Sequence, residues 1–344
     1  MNSYALWNNK GGVGKSFLCF SIASEFAAEN PDHDVYVIDM CPQANVTETF
    51  LGGYDKSPNA IKKLTEKKPR ATVAGYLEAR LNSPFQMISD VSPYVTQVKA
   101  WNPNLGSNIY LIAGDNLLEI QSEAIRQTSQ LPIPKDAWYK ILSWLRDLVN
   151  ALEKRSGSRQ TRVFIDCNPS FAIYTQLALA AADFVIVPFT ADDSSRRAIE
   201  NVAVLLYGEG TKESDTYARI DFSARAREEN LAIPKLHTFV SNRQTLFEGR
   251  PSKAFQAANK AIKSTADAIF LRNKTIFADT TAKPSSYFIE VPDNHGASVV
   301  SAVTGTPLNK LTPGPKVING ERVQLNKDPL DKYKKALKLL VARF

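Results

Sequence analysis

The sequence predicts an α/β protein built on a doubly wound, mostly parallel sheet with helices on both faces. Three observations predict it. Short, almost continuously apolar runs alternate with longer segments of helical composition, as strands do when crossover helices bury them from both sides. Two of those runs end in an aspartate, Asp39 and Asp166, at the carboxyl edge where open sheets bind ligands. The first run leads into a glycine-rich loop that opens a helix.

Ser3 to Asn8 is short and apolar and runs into glycines, so it reads as a buried first strand. Ser16 to Glu29 has helical composition, and Val35 to Asp39 is a second buried strand. Ile109 to Ala113, Arg162 to Asp166, Phe184 to Pro188 and Leu236 to Val240 continue the strand pattern, each bounded by helical segments. Residues 54–108, rich in Pro, Gly and Lys, read as an irregular excursion over one face with a helical patch at Val73 to Leu81. Residues 294–326 are rich in Gly, Pro, Thr and Asn and are expected to be mostly loop. A basic amphipathic helix follows over about 328–344. Its apolar stripe is Leu330, Tyr333, Leu337, Leu340, Val341 and Phe344. The whole chain, 1–344, is expected to form one domain, since open α/β sheets often exceed the usual length of about 150 residues.

With 44% hydrophobic and 22% charged residues, the composition excludes disordered, collagenous and disulfide-built classes. A net charge of +7 fits either simple solubility or acidic partners. The three cysteines, Cys19, Cys41 and Cys167, form no CxxC pair, which argues against a zinc site and for a reducing compartment. No signal segment precedes the first motif and no apolar run approaches the roughly 18 residues of a membrane span, so a cytoplasmic protein is expected.

Asn9-Lys10-Gly11-Gly12-Val13-Gly14-Lys15-Ser16 has the strand-loop-helix setting of a phosphate loop. Glycines let successive N–H groups turn toward phosphate oxygens, and the helix N-terminus adds its dipole. Lys15 is placed to reach the outer phosphates and the Ser16 hydroxyl to ligate Mg²⁺. The usual pattern has glycine where Asn9 stands, and an extra lysine, Lys10, follows.

KGGVGKS, the segment VIDMCPQANVTETFLGG and the block FIDCNPSF followed by ALAAADFVIVPF occur in the order seen in the ParA/MinD family of deviant Walker A ATPases, and the chain resembles that family. The closest likeness is to the ParA-type partition ATPases lacking an N-terminal helix-turn-helix domain. The resemblance implies ATP and Mg²⁺ as ligands, with Lys10, Gly11, Gly12, Val13, Gly14, Lys15, Ser16 and Phe17 around the nucleotide. It implies that Lys10 crosses an ATP-dependent dimer interface to the partner's phosphates. Lys10, Lys15 and Asp39 are then the catalytic candidates, and Ser16, Asp39 and Asp166 the metal-site candidates.

One position departs from the family. Its switch segment reads Asp-x-Asp-Pro-Gln, and this chain has Asp39-Met40-Cys41-Pro42-Gln43. A thiol with a pKa near 8.5 does not replace a carboxylate as an acceptor at neutral pH. Three outcomes stay open: Asp39, Gln43 or Asn45 positions the water, a partner protein completes a slow site, or the ATP-bound dimer barely hydrolyses.

The resemblance further implies an adenine contact at Asn242, with Pro292 and Asp293 closing over the ring, although an asparagine ending a strand also serves as a turn former. It implies nonspecific DNA contacts from Arg250, Lys253, Lys260, Lys263, Arg272 and Lys274. The same residues could simply solvate a helix face. The expected activity is a slow, partner-stimulated ATPase that dimerises on ATP, coats the nucleoid and segregates plasmid or chromosomal DNA with a ParB-like adaptor. A MinD-like membrane switch using the last helix, or an ATP-stabilised scaffold, are the alternatives.

Overall fold

The computed structural model describes residues 1–210, 221–244, 246–247, 250–251 and 253–344, with side chains described outside 193 and 243–254. The chain runs β1 (Asn2–Leu6), α1 (Lys15–Glu29), β2 (His33–Met40), α2 (Asn45–Phe50), α3 (Ser57–Thr65), α4 (Val73–Asn82), β3 (Thr96–Gln97) and β4 (Ile109–Ile112). It continues through α5 (Leu117–Ser129), α6 (Ala137–Leu142), α7 (Trp144–Ser156), β5 (Gln160–Cys167), α8 (Ile173–Ala181), β6 (Phe184–Phe189), α9 (Asp193–Tyr207) and α10 (Phe222–Glu228). Next come β7 (Lys235–Gln244), a short β8 (Leu246–Phe247) and β9 (Arg250–Pro251), α11 (Lys253–Arg272) and β10 (Ile289–Pro292). Last are α12 (His295–Thr304), β11 (Gly314–Ile318), β12 (Glu321–Leu325) and α13 (Lys327–Val341).

Eight strands form the central sheet in the order β10-β7-β6-β1-β5-β2-β4-β3. All its pairs are parallel except β3 with β4. The near-continuous apolar strands are explained by two separate cores. Ala5 of β1 and Trp7 just after it join Tyr36, Ile38, Val163 and Ile165 on one face, while Tyr4 and Leu6 join Val35, Val37 and Phe164 on the other. Helices α4 to α11 cover the first face, and α1, α2, α3, α12 and α13 cover the second.

The excursion over 54–108 is more regular than expected and visits both faces. Ala60 and Leu64 of α3 pack in the second core, whereas Val73, Tyr76 and Leu77 of α4 pack in the first. Helix α4 begins at Val73, where the expected patch begins, and ends one residue beyond it; Thr72 caps it by accepting the Gly75 N–H at its hydroxyl.

The loop expected over 294–326 is instead helix α12 and an antiparallel hairpin of β11 and β12. Its two ends are signalled by residues that composition alone hides. Asn294 caps α12 by accepting the Ala297 N–H, and Asn319-Gly320, both with positive φ, form the hairpin turn. The stripe on α13 is buried: Leu330, Tyr333, Leu337, Leu340 and Val341 lie in the second core, with Phe344 packed against it.

Candidate functional site

The glycine-rich loop lies between the carboxyl end of β1 and α1, and Asn8 fixes its entry by donating from Nδ2 to the Pro188 carbonyl at 2.7 Å. Gly12 and Gly14 have φ of 74° and 83°, a region strained for any residue with a Cβ. Gly14 is also the cap position of α1 and, as a glycine, brings no side chain to bond the first-turn N–H groups. Those N–H groups and the helix dipole make an anion cradle. Lys15, itself buried, donates from Nζ to the carbonyls of Lys10 at 2.8 Å and Asn8 at 3.3 Å. Burial holds its pKa below the usual lysine value, against the pull of Asp166. Beside the loop is a cleft of about 390 Å³ whose lining includes Lys15, Ser16, Phe17, Cys41, Cys167 and Asn168.

Asp39 and Asp166 face each other in register across β2 and β5, and neither is exposed. Their roles differ. Asp39 Oδ1 accepts the Cys41 N–H at 3.0 Å, and Oδ2 accepts both the Thr47 N–H at 3.0 Å and the Thr47 hydroxyl at 2.7 Å. Its carboxylate therefore clamps the segment after β2. Both oxygens of Asp166 are buried and have no hydrogen-bond partner among the described residues. Burial first, and the charge of Asp39 second, raise the pKa of Asp166, while nearby Ser16 and Lys15 pull it down. Burial also raises Asp39, offset by its bonds to Thr47 and Cys41.

Two buried, unbonded carboxylate oxygens beside a serine hydroxyl and a phosphate cradle fit a hydrated divalent cation. Among the described residues no group of three His, Cys, Asp or Glu could hold a metal by itself. Ser16 and Asp166 would thus share such an ion with phosphate oxygens and water. Asp39, with both oxygens engaged, sits behind them.

Lys10 is held within its own chain. Nζ donates to Thr190 Oγ1 at 3.0 Å and Ser195 Oγ at 3.2 Å, and forms an ion pair with Asp192 Oδ2. Despite some desolvation, the bonds from Lys10, Ser194 and Thr190 hold the Asp192 carboxyl well below the usual range. Asp192 also caps α9 by accepting the Ser195 N–H. None of Thr190, Asp192 or Ser195 is picked out by sequence reasoning, although Asp-x-x-Ser ahead of a helix is a capping signal.

Cys41 is 7% exposed and lines the cleft. Burial, reinforced by Asp39, pushes its thiol up to about 11, and Asn168 Nδ2 approaches its sulfur at 3.8 Å. It remains a thiol at neutral pH and offers no carboxylate-like acceptor. Gln43 and Asn45 are exposed and line the same cleft.

Asn242, expected at the base, is 3% exposed and donates from Nδ2 to the Val13 carbonyl at 3.0 Å. A Cβ at Gly14 would lie 2.3 Å from that nitrogen. The amide is thus a brace under the phosphate loop. Pro292 pairs with Gln244 at the neighbouring strand end, and Asp293 is exposed, so all three expected base residues gather at one corner of the sheet.

Of the expected DNA residues, the side chains of Arg250 and Lys253 lie outside the described residues. Lys260, Arg272 and Lys274 are exposed, and Lys263 is paired with Glu290 at 3.1 Å. At about 100° per residue Arg272 points roughly opposite to Lys263, so α11 does not gather these cations on one face.

An AAA domain family model matches residues 1–207, more than half of the chain. Comparison by sequence with curated proteins returns no match. Among solved structures, the fold is similar to that of a Cyanothece McdA variant in complex with ATP, at 15% identity and TM-score 0.59, covering 99% of this chain and 96% of that one. A Borrelia burgdorferi B31 plasmid partition protein bound to AMPPNP is similar at 19% identity and TM-score 0.54, covering 100% and 99%. The ParA of pNOB8 is similar at 16% identity and TM-score 0.56, covering 99% and 98%. With a nucleotide cradle at its first strand and this sheet around it, the chain belongs to the AAA domain family and has the fold of the ParA/MinD-type P-loop ATPases.

Proposed function

We propose that the protein is a ParA-like partition ATPase that binds ATP with Mg²⁺, dimerises face to face, and holds DNA nonspecifically while a ParB-like adaptor stimulates its release. The observation that carries this reading is the junction of the Lys10-to-Ser16 cradle with Asp166, whose oxygens are buried and unbonded. Loop N–H groups and Lys15 bind the phosphates, and Ser16 and Asp166 hold the metal side of the nucleotide. Mg²⁺ would neutralise charge developing between the β- and γ-phosphates. Asn242 holds the loop in shape, and Pro292 and Asp293 border the base.

Lys10 leaves Asp192 and serves the partner's phosphates, which makes dimerisation depend on ATP. A cation supplied in trans contributes as much as about 10³–10⁵ in rate in related chemistry. Hydrolysis is slow, because Cys41 carries no charge where a water-orienting acceptor is needed, and Gln43 or Asn45 takes that task. The six basic residues from Arg250 to Lys274 contribute DNA affinity without sequence choice. The location is cytoplasmic and nucleoid-associated, and 1–344 acts as one domain.

A membrane-surface role is less favoured, since the stripe on α13 that would enter a bilayer lies in the core. No helix among the described residues is long and apolar enough to cross one. Calorimetry with ATP and Mg²⁺, sizing of the complex, and phosphate release with and without DNA test the reading together. No heat of binding, or turnover equal to that of Lys15→Ala in every condition, would overturn it.

A further inference from the structure

The positive charge of this protein is unevenly placed. Residues 54–70 carry six basic and two acidic side chains, and residues 294–344 carry nine and three. Residues 250–274 carry six and one. Outside these three segments acids outnumber bases, since the whole chain has 42 basic and 35 acidic residues. The first two segments share a layer: α3 packs through Ala60 and Leu64, and α13 through Leu330, Tyr333, Leu337 and Leu340, in the core on one face of the sheet. Helix α11 packs through Ile262, Ala266 and Ile269 on the opposite face.

Several arginines elsewhere in the fold are spent on structure, as is Arg70 at the end of the first segment, paired with buried Asp115. Arg80 pairs with Asp147, Arg146 with Asp183 and Arg159 with Asp34. By contrast Lys67, Lys68, Lys332, Lys335 and Lys338 are exposed and have no ion-pair partner among the described residues. Lys62 meets Glu66 only at 3.9 Å, with both side chains well exposed.

The start of the first segment, and α12 at the start of the second, are also tied to the nucleotide site. Asp39 clamps Thr47 at the start of α2, and the Gly53 N–H closes the same helix on the Glu48 carbonyl at 2.9 Å. Directly after it the Tyr54 N–H, where the lysine-rich segment begins, bonds the Val303 carbonyl of α12 at 3.0 Å. Asn102 Nδ2 bonds the Gly305 carbonyl at 2.7 Å beside it. A Cβ at Gly53 would lie 2.0 Å from Val303 O, so the two segments meet without slack.

We propose that the lysine-bearing outer surface of α3 and α13 is a second nucleic-acid surface, on the opposite side of the sheet from α11, that grips phosphate backbone. The proposal rests on the DNA-binding reading above and adds a place to it. Lysines are mobile point charges suited to phosphates rather than to bidentate recognition. Protein hot spots need buried aromatic or arginine anchors, and among the described residues only Tyr54, Val317 and Leu339 are exposed large apolar side chains in these two segments. Bilayer insertion needs an apolar helix face, and that of α13 is buried. With surfaces on both sides of the sheet, one molecule contacts two duplex segments at once.

The test is fluorescence anisotropy of a mixed-sequence DNA duplex at two salt concentrations, with ADP and with a slowly hydrolysed ATP analogue. The full-length protein is compared with Lys62→Glu/Lys63→Glu/Lys67→Glu, with Lys332→Glu/Lys335→Glu/Lys338→Glu and with Lys260→Glu, each checked for folding by melting. We expect each triple variant to bind at least about tenfold more weakly and to flatten the log–log salt slope by roughly 2–3, since each phosphate contact accounts for about 0.9. The single replacement on α11, with one third of the charge change, should flatten the slope by about 1. Wild-type-like affinity and slope in both triple variants, with loss only in Lys260→Glu, would overturn this surface while leaving DNA binding intact. If the unaltered protein ignores DNA in every nucleotide state, whether or not it binds anionic vesicles, the surface and the DNA reading fall together.

Discussion

Lys10 and Asp192 form an ion pair within one chain, reinforced by Thr190 and Ser195. The lysine proposed to reach a partner's phosphates is therefore already engaged, and the proposed dimer would compete with this contact. Because Lys10 and Asp192 are partly exposed, at 24% and 45%, the pair is worth no more than about 1 kcal/mol. Asp192→Asn should then tighten ATP-dependent dimerisation by about fivefold, read by sedimentation at several protein concentrations. Weaker dimerisation with an intact fold would mean that Asp192 supports the dimer instead.

Replacing Cys41 by aspartate restores a carboxylate to the cleft. Turnover in Cys41→Asp should rise by about 10–100-fold, because positioned base groups contribute on that order or more. Phosphate release under saturating ATP checks it. An unchanged rate would assign water positioning to Gln43 or Asn45, whose alanine variants would then be the slow ones.

The pH response of Asp166 has a definite sign. Its folded pKa lies above the unfolded value, so the buried group favours the fold most when protonated and loses that contribution as pH rises through the folded pKa. Asp166→Asn removes the loss. The nucleotide-free variant should be more stable than the parent at pH 8, by about 1–3 kcal/mol, and by less at pH 5, the gap closing only near the unfolded carboxyl pKa of about 3.9. Denaturant melts at both values decide this, and the variant should also lose Mg²⁺-dependent turnover.

Asn242 supports the loop from beneath through the Val13 carbonyl. Asn242→Ala leaves that carbonyl unbonded, at a cost of about 1–2 kcal/mol, and should weaken ATP and ADP by a similar factor of about tenfold. Loss of adenine nucleotides alone, with inorganic triphosphate binding unchanged, would indicate a base contact instead.

What was legible in the sequence follows from how local each signal is. The strands, the cradle and Asp166 stand out because burial on two faces and the geometry of glycine leave marks in consecutive residues. The Lys10–Asp192 pair spans 182 positions and the Asn242–Val13 bond 229. Such contacts exist only once the sheet order brings β1, β6 and β7 together. Helix α12 and the hairpin after it were hidden for another reason: their capping residues, Asn294, Asn319 and Gly320, are the same types that make loops.

The family match stops at Tyr207, but the folded unit does not. Beyond that residue lie β7 and β10, which continue the sheet past β6, and α13, which covers Leu18, Phe26 and Phe164. A fragment ending there would present β6 as a bare edge and leave an oily floor open to water. We expect it to be recovered from cells as insoluble protein, however complete its ATP motifs look on paper.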